Sequence, residues 1–394
     1  MCMYFTKGIN QNGYIMCLHC NMKKYEHPIF SYIHNITSQC DDIVSLIQEY
    51  IKTNNYNNIA CKHEHSIVLL KDNTVKCWGN NKYGQCEPPK SIQGKVVSIS
   101  CGKYHSVALL NNNTVKCWGD NRWNQCDVPD SIQGKVVSIS CGSYHTCALL
   151  NDNTVKCWGD NSDGECNVPD SIQGKVVSIS YGLYHFCALL NDNTVKCWGN
   201  NYYNQCDVPD SIQGKVVSID CGGYYSCALL NDNTVKCWGK NGFGQCNVPD
   251  FIQGKVIYIS CGYGYCCVLL NNNTIKCWGN NDWGQCNVPD SIQGNNHNVN
   301  INNDNVVGKV VSMCCGSHLS VALLNNNTVK CWGDNDFGQC KVPDSIQGKV
   351  VSIKCGSYHS CAVLDDNTVI GWGNDDYRQC DVPDFIQGKI MRKN

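Results

Sequence analysis

The sequence predicts an all-β protein, a β-propeller of eight (alternatively seven) short blades, and three observations carry that prediction. One 40-residue sentence recurs eight times, with copies beginning at Asn55, Lys95, Lys135, Lys175, Lys215, Lys255, Lys309 and Lys349. A fixed period of that size marks stacked units, none of which buries its apolar face alone. Within a copy the pattern has period two, as in Val137 and Ile139 against Ser138 and Ser140, with no helical period between the runs. Turn residues separate the runs: Asn151-Asp152-Asn153, then Gly142, Gly159 and Gly174 at the other corners. Small antiparallel sheets that follow one another without helices favour radial packing about an axis. An open β-solenoid is the alternative fold.

Residues 1–54 lie outside the period and form an N-terminal extension. Gly8 to Cys17 is expected to be a hairpin around Asn12-Gly13, a strong short turn signal. Cys17-Leu18-His19-Cys20 has zinc-like spacing, with His27, His34 and Cys40 downstream, but a second close pair is missing and the cysteine content accounts for the spacing. Ile43, Leu46, Ile47, Tyr50 and Ile51 share one helical face behind Ser38 and Asp41-Asp42, which predicts a short amphipathic helix capping the propeller edge.

The propeller is expected over 55–388, as repeats 55–94, 95–134, 135–174, 175–214, 215–254, 255–294, 309–348 and 349–388. In the third copy three firm strands lie around 137–140, 145–150 and 154–158, with a weak fourth around Cys166 and Val168 ending at Pro169. The first copy is worn, since Asn55-Tyr56-Asn57-Asn58-Ile59 replaces Lys-Val-Val-Ser-Ile. Asn295 to Gly308 is an Asn-rich, low-complexity insertion, read as a surface loop. The tail 389–394 begins Lys389-Ile390-Met391, like a first strand, and is expected to pair beside the first blade and help close the ring, removing exposed sheet edges.

Composition narrows the partners. The net charge is −2 and each copy carries its own Lys and Asp, so no basic stripe forms and neither nucleic acid nor a membrane surface is expected as a partner. No run approaches the ~18 apolar residues of a membrane span. The first residues lack a basic region followed by an apolar core, so an intracellular protein is expected, with nucleus and cytoplasm unresolved and a monomeric state. The 33 cysteines are mostly repeat positions, Cys141, Cys147, Cys157 and Cys166 in the third copy. A three-residue loop at 151–153 places Cys147 across from Cys157, within bridging distance. Cys187/Cys197, Cys227/Cys237 and Cys267/Cys277 keep that pair, whereas Ile67/Cys77, Val107/Cys117, Val321/Cys331 and Cys361/Gly371 break it. The breakage, with no secretory signal, favours reduced core cysteines.

Cys-Gly-Ser-Tyr-His-Thr-Cys-Ala-Leu-Leu (141–150), Val-Lys-Cys-Trp-Gly-Asp-Asn (155–161) and Trp-Gly-Gln-Cys (283–286) resemble the repeat of the regulator of chromosome condensation family, in which a G-x-x-H-x-x-A-L strand precedes a W-G-x-N-x-x-G-Q turn. The resemblance covers 55–388, although family members usually form seven blades and this repeat is shorter than that of the nuclear founder, closer to a bacterial propeller that inhibits β-lactamases. It implies guanine-nucleotide exchange on a small GTPase, chromatin binding or inhibitor-type docking. Exchange in the founder depends on a wedge-like insertion, and the insertion at 295–308 lacks an apolar or acidic apex.

Two sets of positions vary among otherwise uniform copies. One follows the Cys-Gly: Lys103, Ser143, Leu183, Gly223, Tyr263, Ser317 and Ser357. The other precedes the Gln-Cys and includes Lys82-Tyr83, Arg122-Trp123, Asp163, Tyr202-Tyr203, Phe243, Trp283, Phe337 and Tyr377. An antiparallel meander brings both loops to one face of the disc. Lys103, Leu183, Tyr263, Arg122, Asp163, Tyr202 and the aromatics Tyr83, Trp123, Tyr203, Phe243, Trp283, Phe337 and Tyr377 are therefore the candidate partner-binding residues. Two readings of those aromatics stay open: exposed anchors, or wedges between blades. The recurrent Trp78, Trp118, Trp158, Trp198, Trp238, Trp278, Trp332 and Trp372 are expected in the core.

No catalytic site, metal or cofactor is expected. His145 and Cys147 share a strand face, but a dyad stamped out blade after blade and lost at Tyr225, Tyr265 and Leu319 is packing, because a nucleophile and its base are normally built once. The expected function is a non-enzymatic protein-interaction scaffold. Exchange or regulation on a small GTPase, and inhibitor-type docking on an enzyme, are the alternatives.

Overall fold

Eight three-stranded antiparallel sheets follow one another along the chain, each built from one repeat. The structure, a computed structural model, describes residues 7–9, 15–17, 59–293, 308–384 and 387. In the third blade the strands are Val136–Cys141, His145–Leu150 and Val155–Gly159. First strands of neighbouring blades touch all the way round, and that of the eighth (Val350–Cys355) reaches that of the first (Ile59–Lys62). The molecule is thus a closed ring of eight blades with the first strands nearest the axis, rather than a solenoid.

The turn chemistry works as the sequence predicts. Asn153 takes the left-handed conformation at φ 63°, Leu150 N–H donates to Thr154 O at 2.9 Å, and Asp152 Oδ1 accepts from Thr154 N at 3.0 Å. This sets Cys147 opposite Cys157.

The weak fourth strand does not form. Cys166 N–H is taken by Asn161 Oδ1 at 2.8 Å, and Pro169 brings no donor, so a loop leads into a 3-10 turn, Asp170–Ile172. The edge of the third strand is covered instead by one side chain: Gln173 Oε1 accepts from Val155 N at 2.8 Å and its Nε2 donates to Val155 O at 3.1 Å. The amide mimics a neighbouring strand, while Ile172 is buried beneath it. Gln173→Ala is expected to lower stability by ~1–2 kcal/mol, read as a shift in urea midpoint, by leaving both backbone groups without a partner.

Apolar packing lies between blades. Ile67, Leu69 and Val75 of the first blade, for example, pack with Val96, Ile99, Ala108, Leu110 and Trp118 of the second. Two rings of hydrogen bonds tie the same seams. Each recurrent tryptophan is buried and its indole N–H donates to a carbonyl of the preceding blade, as Trp158 does to Gln125 O at 3.0 Å and Trp78 to Gln379 O at 3.0 Å. Deeper in, His105 Nε2 lies 3.0 Å from Thr146 Oγ1, and His359 Nε2 lies 2.9 Å from Ser66 Oγ. Where tyrosine replaces histidine the hydroxyl serves, Tyr265 donating to Leu319 O at 2.6 Å. Trp78–Gln379 and Ser66–His359 show that the end blades themselves close the ring.

The expectation of reduced cysteines is corrected at four pairs. Cys147–Cys157, Cys187–Cys197, Cys227–Cys237 and Cys267–Cys277 are disulfides, with Cα atoms 4.1–4.2 Å apart. The cause is the register: each pair is directly opposed, so sulfurs meet wherever both partners are cysteine. Near the N-terminus the predicted hairpin is present, Lys7–Ile9 against Ile15–Cys17. The helix expected over 38–51, the group at Cys20, His27, His34 and Cys40, the insertion 295–307 and the tail 389–394 lie outside the described residues. Among the described residues no helix is long and apolar enough to cross a membrane.

Candidate interaction face

Both variable loops emerge at one end of the strands, where the backbone joins them: Asp160 N–H donates to Tyr144 O at 3.0 Å, and the other blades repeat the bond. The loop after the third strand is held by its own side chains. Asn121 Oδ1 accepts from Cys126 N at 2.8 Å, and Gln125 Oε1 accepts from Trp123 N at 2.9 Å. The residue between Trp123 and Gln125 needs a left-handed conformation, supplied by Asn124, Asn204 and Arg378 where other blades have glycine. Each aromatic is therefore placed by a rigid loop rather than by its own packing.

The aromatics stand half in solvent. Trp123, Tyr203, Phe243, Trp283, Phe337 and Tyr377 are 36–51% exposed, Tyr202 81%, and Tyr83 is half-buried. Phe243 also packs over the next blade at Gly264, where an added Cβ would meet its ring at 3.2 Å. Arg122 and Asp163 are exposed. The set after the Cys-Gly is more mixed. Tyr263 is exposed and Lys103 and Leu183 are half-buried, while Ser143, Gly223 and Ser357 are buried, because that loop lies innermost and is joined to the next by Lys103 N–H to Ser143 O at 2.9 Å.

A second aromatic ring was missed in the sequence: Tyr104, Tyr144, Tyr184 and Tyr224, half-buried between the two variable sets. Tyr83 meets Tyr104 at 5.2 Å, Tyr104 meets Tyr144 at 6.3 Å, and Tyr224 touches Tyr184, Tyr203 and Tyr263 at 5.7, 5.5 and 6.2 Å. Tyr358 holds the same position in the eighth blade, whereas Glu64, Gly264 and His318 replace the tyrosine in the others. Cations lie on the rings: Arg122 is 4.5 Å from the Tyr83 centroid while paired with Asp120 at 2.9 Å, Lys103 is 5.1 Å from Tyr104, and Lys240 is 5.0 Å from Tyr203 and 5.3 Å from Tyr224. Burial, then the neighbouring phenols, pushes Tyr224 up to about 12, so its hydroxyl stays protonated.

Lys62 was missed as well. It stands where every other copy has the glycine of Cys-Gly, and it reaches across the axis to Cys141 O at 2.8 Å, with its ammonium 4.1 Å from the Tyr181 ring centroid. Burial lowers its pKa to about 8. The histidines of the apparent Cys/His dyads are buried between blades; His65, His105, His145 and His185 are held down to about 3 by burial, hence neutral.

The profile of the regulator of chromosome condensation (RCC1) repeat matches residues 57–85, 96–125, 136–165, 176–205, 216–245, 256–285, 310–339 and 350–379, together more than half of the chain. The chain belongs to the RCC1 repeat family. Each RCC1 match runs from the first strand to the glutamine or glutamate whose carbonyl receives the next blade's tryptophan. Solved structures like this RCC1 propeller include Prp20p of Saccharomyces cerevisiae, described with its binding properties to Gsp1p and histones, at 19% identity and TM-score 0.52, covering 82% of this chain and 95% of that one. The entire ectodomain of the receptor kinase CR4 of Physcomitrella patens is 22% identical with TM-score 0.50, covering 71% and 73%. At these identities the likeness is one of fold. Among curated proteins none matches this chain.

Proposed function

We propose that the protein is a protein-interaction scaffold, acting as a monomer and without chemistry of its own, that captures a partner on the aromatic and cationic face. The observation that carries this reading is the pair of ring clusters that cross blade seams, Tyr83–Tyr104–Tyr144 and Tyr184–Tyr224 with Tyr203 and Tyr263, with Lys103, Arg122 and Lys240 seated on them. Aromatic residues and arginine on a rigid support are the groups that dominate protein interfaces, since they bury much surface at little entropic cost. The burial of the repeated histidines as neutral groups between blades supports a structural role for them rather than a catalytic one.

The test compares the intact protein with Tyr203→Ser/Phe243→Ser/Trp283→Ser in quantitative capture from native cells. The triple variant is expected to fold, because these side chains are half in solvent, and to bind the captured partner at least ~10-fold more weakly. Equal recovery by both proteins would move the site off this face. Prp20p, which shares the fold, is described with binding to Gsp1p, and this favours one second reading, regulation of a small GTPase. In that case catalysed nucleotide release should collapse when 295–307 is deleted, while simple docking should not.

A further inference from the structure

Among the described residues no strand is shared between the ends of the ring, the first and eighth blades each being a three-stranded sheet of its own repeat. Ser66–His359 and Trp78–Gln379 already tie that seam, and it differs from the other seven. At each seam, three side chains converge: the position of His145, the position of Cys147, and the Cys141 position of the following blade. The first two seams offer His65 with Ile67 and Cys101, and His105 with Val107 and Cys141. In the third to sixth, the cysteine at the Cys147 position is consumed in a disulfide, and the seventh has Leu319 and Val321. Only the closing seam has His359, Cys361 and Cys61 together with both thiols free, because Gly371 stands opposite Cys361.

Their ligand atoms all lie within 4.8 Å of one another. Ser66 Oγ sits among them, 2.9 Å from His359 Nε2, 3.4 Å from Cys61 Sγ and 3.7 Å from Cys361 Sγ. Zinc bonds of ~2.0–2.3 Å put the corners of a tetrahedron about 3.3–3.8 Å apart, so these separations approach those of a tetrahedral shell. We propose that Cys61, His359 and Cys361, with the Ser66 hydroxyl as fourth corner, form a zinc site that latches the last blade to the first. Two residues from each end of the ring supply it. Binding exchanges the two thiol protons for Zn2+ and releases them to solvent, leaving a site of zero net charge from the metal and two thiolates, which suits a buried seam.

The test uses the full chain, stripped with chelator anaerobically and without reductant so that the four disulfides stay closed, and titrated with Co2+ and then Zn2+, beside Cys361→Val and His359→Leu. These substitutions copy Val107 and Leu319 of sister blades, so the fold has already accommodated both. One equivalent of Co2+ with a thiolate charge-transfer band is expected for the intact chain, displaced by Zn2+, and Zn2+ should raise its melting temperature. Both variants should lose that equivalent, weakening it at least ~100-fold, and should melt independently of Zn2+. Undiminished binding by a folded variant, absence of the band in the intact chain, or a Cys61–Cys361 disulfide in peptide maps would overturn the assignment.

Discussion

Lowering the pH from 7 to 5 is expected to remove most of the protein's stability. His65, His105, His145 and His185 are buried and held neutral down to about 3, with burial the leading cause and Lys62 adding repulsion at the first three. In the unfolded chain each titrates near the ordinary ~6.5. Above that value neither state is protonated and stability is intact; between ~6.5 and about 3 the unfolded chain binds protons that the folded one refuses. The cost at pH 5 is about 2 kcal/mol per histidine, and four together approach the ~5–15 kcal/mol of a typical domain. Asp220 and Glu165 act with the opposite sign, since burial raises both carboxyls, but they are two groups against four. Urea midpoints at pH 7, 6 and 5 measure this, and a flat midpoint would mean the histidines are hydrated. His145 is the informative one to change, because its Nε2 has no hydrogen-bond partner and its ring lies 4.6 Å from Phe186. His145→Tyr, copying Tyr225, should flatten the pH slope by about a quarter.

Gly159→Ala is expected to cost about 3–4 kcal/mol, a large fraction of stability for a single methyl group. Gly159 has φ +112°, and an added Cβ would stand 2.6 Å from Tyr144 O and 2.8 Å from His145 Cα. Both are backbone atoms at the junction that brings the two variable loops together, so neither can yield without moving those loops. Gly174→Ala is the control. It too has positive φ, +79°, but its nearest neighbour would be Asp152 O at 3.9 Å, so only the backbone strain of about 1 kcal/mol applies. Thermal melts of the two variants separate strain from collision; equal losses would contradict the close approach at Gly159.

Period, turn and register were legible because each is a local matter that the chain repeats. Asn151-Asp152-Asn153 sets the hairpin, the hairpin sets Cys147 against Cys157, and the recurring tryptophans have room only between blades. What sequence reasoning missed depends on contacts between copies. Cys166 and Val168 alternate like a strand, yet the Asn161 side chain and Pro169 spend the hydrogen bonds a strand would need, and Gln173 takes over the edge. The inner tyrosines, from Tyr104 to Tyr224, sit at a position that also holds Glu64, Gly264 and His318, so their variation was there to be read, but their contacts with one another needed the ring. Lys62 was hidden in a copy set aside as worn, although a lysine in place of a repeated glycine was there to be read. The candidate aromatics themselves were found from the sequence, but their company of Lys103, Arg122 and Lys240 required the three-dimensional ring.

Exchange of the tryptophan indole protons, read by NMR on protein labelled at tryptophan, tests the closed ring and its displayed face together. The chain has 10 tryptophans. Trp78, Trp118, Trp158, Trp198, Trp238, Trp278, Trp332 and Trp372 each donate across a seam, whereas Trp123 and Trp283 stand half in solvent on the face. The closed ring predicts eight slowly exchanging indoles and two fast ones. An open array would leave Trp78 without Gln379 and show a third fast indole, and slow exchange at Trp123 and Trp283 would contradict the face.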